Sequence, residues 1–250
     1  QVLLIRYLTI AVVQIGILAL LKPRLTNLRG QMQRIWQDFQ SFGWRVYTGR
    51  IPAALADCSQ LALGYFVSAE TIAYYNIALA LSAPVELVGT SYAQTLYRGM
   101  MHHERLASQQ RRTSVGVSVI TAVGVPLVGT LLIVLAYPTD FRQAIPLLFL
   151  LSAGRAFRGT YMLYNQYLSS HGAGDALRRI SLIGAAVEIV ATLSLVYLFG
   201  VYGAAIALII FNSFTLAQYL TNYRRFSLKV VSLDGKQGQL SDEGQEKGEY

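Results

Sequence analysis

Long apolar stretches occupy about 2–21, 46–67, 71–97, 113–137, 144–168, 180–199 and 201–223, and the basic residues between them alternate from loop to loop. The segments 22–45, 98–112 and 171–179 and the tail after Tyr223 hold almost all the lysine and arginine. The loops near 68–70, 138–142 and 200–202 hold only Arg142. A helix needs roughly 20 apolar residues to cross a bilayer, and loops rich in Lys and Arg stay in the cytoplasm. The pattern predicts an all-α, polytopic membrane bundle of about seven transmembrane helices, with its C-terminus inside.

Composition supports that reading and closes off others. A hydrophobic share of 54% with 14% charged residues lies outside the range of ordinary soluble domains. A net charge of +8 would elsewhere point to nucleic acid. Here the surplus sits in loops, where topology accounts for it and anionic lipid attracts it. No basic-aromatic motif of a nucleic-acid fold is visible, so membrane lipid is the expected partner and nucleic acid is not. The single cysteine, Cys58, excludes an internal disulfide and a thiolate metal cluster. His102, His103 and Glu104 are contiguous, and neighbours at i and i+1 on a helix point apart. There is no HExxH, GxSxG, P-loop or nucleotide fingerprint. The chain is expected to be no enzyme, with no catalytic residue, no metal and no cofactor.

The first apolar run begins at once, without a basic n-region, and is not a signal peptide. Counting spans back from an inside C-terminus puts Gln1 outside, which an upstream span would explain. The expectation is therefore the C-terminal part of a longer protein. Residues 22–45 form a linker in which Leu28, Met32, Ile35, Trp36, Phe39 and Phe42 recur at helical spacing opposite Arg29, Gln33, Arg34, Gln37 and Asp38. A basic amphipathic helix of this kind lies in the membrane interface. The six spans of 46–226 follow, and the polar residues of 227–250 are expected to be disordered.

Ionisable groups at membrane depth are costly and face a bundle interior or an aqueous cavity. This chain keeps Arg50 and Asp57 in its second span, Glu86 in the third, Arg155 and Arg158 in the fifth and Glu188 in the sixth. Arg155 and Arg158 are three apart and share a helix face, with Asn165 and Gln166 about two turns further along it, and Tyr161 adds a hydroxyl inside or near the bundle, as a polyhydroxylated ligand would require. Two readings fit. The arginines bind an anionic substrate group, which guanidinium holds bidentately. Alternatively, Asp57, Glu86 and Glu188 pair with them and fasten the helices. The carboxylates are also candidates for ion coupling, because burial makes them titratable. Tyr47, Tyr65, Tyr97, Tyr137, Tyr202 and Tyr223 fall near span ends, as an interfacial aromatic belt would place them.

Three segments carry a family likeness. The first is Ile51-Pro52-Ala53-Ala54-Leu55-Ala56-Asp57 with Leu61-Ala62-Leu63-Gly64-Tyr65-Phe66, running into Ile72-Ala73-Tyr74-Tyr75-Asn76-Ile77-Ala78. The second is Asn165-Gln166-Tyr167-Leu168 with Gly172, Gly174 and Asp175. The third is Gly200-Val201-Tyr202-Gly203-Ala204-Ala205-Ile206-Ala207. Over roughly 1–226 the chain resembles the oligosaccharide flippases of the multidrug/oligosaccharidyl-lipid/polysaccharide exporter superfamily, in their C-terminal half. The resemblance implies that 1–21 is the last helix of an N-terminal lobe, 22–45 the bridge, and 46–226 a six-helix C-lobe, the rest of the N-lobe being missing. It also implies a bacterial cell-membrane transporter that flips polyprenyl-diphosphate-linked oligosaccharide to the outer leaflet by alternating access. In that setting Arg50, Arg155 and Arg158 are diphosphate ligands. A drug or cation exporter of the same fold is the alternative, and would favour acidic residues in its cavity. A membrane-embedded glycan enzyme would need a large outer loop or a His/Asp site.

Overall fold

The computed structural model describes residues 28–40, 44, 61–101 and 105–246, with side chains in the last stretch to Phe226. The span at 1–21, residues 22–27, 41–43 and 45–60 (Arg50 and Asp57 among them), residues 102–104 and the side chains of the 227–250 tail lie outside the described residues. The chain divides into two units, 1–41 and 42–250. All regular elements among the described residues are helical.

In the first unit, α1 (Leu28–Asp38) forms over the amphipathic stretch. Met32, Ile35 and Trp36 are exposed, and Trp36 stacks on Phe39 with ring centroids 5.8 Å apart. An uncovered apolar face carrying Trp suits an interfacial helix.

The second unit contains α2 (Leu61–Phe66), α3 (Ala69–Met100), α4 (Ser108–Ala136), a short 3-10 turn (Thr139–Gln143), α5 (Ala144–Ser170) and α6 (Gly174–Glu246). Ser68 caps α3 by accepting the Thr71 amide at 3.4 Å, which satisfies one of the orphan donors of the first turn. Among the described residues, Ala69–Met100, Ser108–Ala136 and Gly174–Phe226 are long and apolar enough to cross a membrane. The regular structure of the described residues is therefore all-helical, with helices of membrane-spanning length and apolarity.

The long α6 is two helices joined at Gly200, whose φ of 57° and ψ of −132° break the helix. Side chains rarely adopt such a backbone, and glycine does so freely. The chain reverses there. A Cβ on Gly203 would stand 1.9 Å from the Leu195 carbonyl oxygen, and one on Gly184 would lie 3.3 Å from the Phe211 ring. The arms 174–199 and 201–226 thus run antiparallel, as two separate apolar runs in the sequence predict.

α5 packs against α3, α4 and α6. Its two arginines lower its apolarity below that of a lone span, and both are half-buried among its neighbours. Two apolar cores lie along the bundle. One, at the end of the Ser68 and Gly200 turns, gathers Tyr75, Ala78, Ile133, Leu148, Leu151, Val196 and Ala205. The other gathers Ala93, Met100, Leu106, Leu163, Tyr167, Leu177 and Tyr219. Arg98, Arg105, Arg111, Arg112, Arg178, Arg179, Arg224 and Arg225 surround this second end, all exposed. The opposite end has Arg142 with Glu70 and Asp140.

The outer surface is as apolar as a core. Val119, Ile120, Val123, Leu127, Val128, Leu131 and Leu135 of α4 are exposed, as are Val190, Leu193 and Leu198 of the first arm. A soluble monomer rarely exposes a contiguous apolar patch of more than a few hundred Å². Lipid is the solvent that suits this face. Tyr65 and Tyr197 are 86% and 72% exposed, at the turn end, as a belt requires. Tyr223 is different: it is buried, and its hydroxyl accepts the Leu106 amide at 3.2 Å, tying the second arm to the start of α4.

Candidate functional site

Between the two apolar cores lies a polar layer, to which each long helix contributes. α3 brings Glu86, α5 brings Arg155 and Arg158, and the first arm of α6 brings Glu188. The buried polar side chains of Ser82, Ser118, Ser152, Thr192, Asn212 and Thr215 fall in the same stretch. Helical spacing explains the convergence within α5: Gly154, Arg155, Arg158, Gly159 and Tyr161 succeed one another over two turns of the central helix.

In this layer Arg158 Nε lies 2.9 Å from Glu86 Oε1. The N–H does not point at that oxygen, so this is a close charge pairing and not an aligned hydrogen bond. The two side chains are 43% and 26% exposed, which leaves the pair open on one side. Arg155 is half-buried one turn away, within electrostatic range of Glu86, Arg158 and Tyr75. Tyr75 is likewise within range of Glu188, and Tyr161 of Arg158, Glu86 and Glu188.

Tyr161 is buried and stacks on Tyr219, with centroids 5.1 Å apart and planes 14° from parallel. Asn165 donates Nδ2–H to the Tyr219 hydroxyl at 2.6 Å. Its carbonyl accepts from Ser169 Oγ at 3.4 Å. Asn165 therefore helps fasten α5 to the second arm, and Gln166 is half-buried beside it. Of the residues singled out from sequence, the structure brings Glu86, Arg155, Arg158, Tyr161 and Glu188 into one layer. Asn165 and Gln166 sit toward the basic end. Arg50 and Asp57 lie outside the described residues.

Two features of the layer were not anticipated. The first is a three-helix crossing. A Cβ on Gly89 would be 2.6 Å from Gly159 Cα, and one on Gly159 would be 3.3 Å from Ser118 Oγ. Gly89 is one turn after Glu86, and Gly159 follows Arg158, so this crossing sets the distance across which the charges meet. Gly89→Ala is expected to cost about 1–3 kcal/mol by forcing two backbones apart. Gly159→Ala should cost less, because its methyl would lie 3.3 Å from the Ser118 hydroxyl and at ordinary contact distance, 3.4 Å, from Gly89 Cα. Thermal unfolding in detergent would check the order.

The second feature is Asn212, fully buried. Gly154 lies against Leu208 and Ile209, and Asn165 bonds to Tyr219, so Asn212 stands at the height of Arg158. An amide in the middle of an apolar run is readable in sequence as a polar group at membrane depth. The glycine crossing had no such signal, because its pairing depends on the approach of separate helices. Among the described residues no cluster of His, Cys, Asp and Glu could hold a metal.

Over 190 residues the chain is 28% identical to the protein named "Probable flippase AglR" from Haloferax volcanii, a match covering 72% of this chain and 39% of that protein. The chain thus spans well under half the length of the relative it matches. The likeness is to a flippase, a transporter and not an enzyme. No family model matches the chain. No solved structure matches it.

Proposed function

We propose that this chain is the C-terminal part of a flippase that moves polyprenyl-diphosphate-linked oligosaccharide from the cytoplasmic to the outer leaflet by alternating access. In this reading 1–21 ends an N-terminal lobe, 22–45 crosses between lobes, and 46–226 forms the six-helix C-lobe, in a bacterial cell membrane with the C-terminus cytoplasmic. The observation that carries it is the pair Arg155 and Arg158, one turn apart at mid-depth on the central helix. A substrate with two linked phosphates offers both guanidiniums a bidentate partner. Glu86, already against Arg158, would hold the cation in place between cycles and yield it to the substrate. The basic end of the bundle would collect the anionic headgroup before entry, as a field of one sign raises the local concentration of its counter-ion. Similarity to a flippase supports the transport class, and alternating access requires a second lobe closing on the same site.

The test follows a fluorescent polyprenyl-diphosphate oligosaccharide in proteoliposomes carrying the full-length protein. Arg155→Ala with Arg158→Ala should slow flipping at least about tenfold, given the loss of charge-assisted contacts to the diphosphate. Unchanged flipping would reduce the arginines to helix fasteners. Failure of the wild type with several such lipids would sink the substrate assignment in favour of a drug or cation exporter.

A further inference from the structure

At the basic end of the second unit, two of the arginines line a groove on the first arm of α6. It has a volume of about 440 Å³ and is lined by Asp175, Arg178, Arg179, Leu182 and Ile183. Their spacing places them on one face of the first arm of α6, in order of depth. At roughly 1.5 Å of rise per residue, the guanidiniums attach about 5 Å deeper than Asp175, and the apolar pair about 6 Å deeper again. Leu182 and Ile183 are 44% and 42% exposed and lead into the open stripe of Val190 and Leu193. From the aqueous end inward the groove offers a carboxylate, then two guanidiniums, then an apolar wall.

A phospholipid with a primary ammonium headgroup presents the matching sequence: ammonium, phosphate, acyl chain. We propose that the groove binds such an aminophospholipid. Arg178 and Arg179 take the phosphate, whose oxygens fit the guanidinium fork. Asp175 accepts N–H donors of the ammonium, and Leu182 and Ile183 receive the first methylenes. A choline headgroup has the same charge but no N–H to donate, so the site discriminates between the two. The inference rests on the membrane setting and is independent of which substrate is flipped.

The experiment is native mass spectrometry of the full-length protein taken from bilayers holding equal phosphatidylethanolamine and phosphatidylcholine with identical chains. The wild type should retain the ethanolamine lipid over the choline lipid by about fivefold, the yield of one charge-assisted hydrogen bond at a wet interface. Asp175→Asn should bring that ratio to near one while phospholipid is still retained. Arg178→Gln with Arg179→Gln should lose both lipids. Arg111→Gln with Arg112→Gln, an equal change of charge at the same end, should keep the wild-type ratio. Equal retention by the wild type overturns the proposal. An unchanged ratio in Asp175→Asn overturns it too, as does equal loss in the Arg111 and Arg112 control. Preferential retention of added phosphatidylglycerol would replace it with a site for anionic lipid.

Discussion

Glu86→Gln is expected to destabilise the bundle more than removing both charges of its pair at once. Glu86 lies against Arg158, and Arg155 stands one turn further along the same helix. Without the carboxylate, two guanidiniums share one polar layer with their nearest counter-charge gone. Breaking a fully buried pair costs about 3–5 kcal/mol, because the remaining charge is stranded away from water. The partial exposure of Arg158 and Glu86 lowers the expectation to about 2–3 kcal/mol. Arg158→Gln alone should cost less than Glu86→Gln, since it removes a repulsion with Arg155 along with the attraction. The double variant Glu86→Gln with Arg158→Gln should lie within about 1 kcal/mol of the wild type. Unfolding in mixed micelles of all four proteins gives the coupling directly. Strict additivity would mean that the 2.9 Å contact contributes nothing.

The second large effect is expected at the last turn. Gly203→Ala would put a methyl 1.9 Å from the Leu195 carbonyl oxygen, with the Val196 nitrogen at 2.9 Å. These are backbone atoms of the other arm and cannot rotate aside. The arms must separate, which pulls Val201 and Ala205 away from Val196 in the core they share. Overpacking against side chains costs about 1–3 kcal/mol, and a rigid neighbour puts this case at or above the upper figure. Gly200→Ala should be milder, about 1–3 kcal/mol, because nothing lies within 4 Å of its added methyl and only the backbone angle opposes it. A drop in thermal midpoint that is larger for Gly203→Ala than for Gly200→Ala would bear this out. The reverse order would mean that the turn is held by its dihedral angles and not by the contact between its arms.

The Gly200–Gly203 motif shows how far sequence alone can reach. Its glycines mark a break between two apolar runs, and the structure turns there. Which glycine serves the angle and which serves the approach became apparent only when the facing arm was in place. Tyr223 shows a limit of another kind. Its position at a span end reads as belt, and so does that of Tyr65, yet one is buried and the other almost fully exposed. Distance along the chain gives depth in the membrane but not the direction in which a ring points. Asn212 was legible as an amide within an apolar run, whereas the Gly89–Gly159 crossing required two helices to be brought together.

By itself the sequence determined the class of the molecule: helices of membrane length, the ends that carry basic charge, and the residues whose charge needs shelter. These follow from the thickness of a bilayer and the cost of placing charge in it, both of which act on each segment separately. The tertiary structure decided which helix lies at the centre, that Glu86 meets Arg158, and that the charged layer is closed above and below by apolar cores. Those outcomes depend on close packing between segments distant in the chain. Pairings of that kind are fixed by shape, and shape exists only once the helices have met.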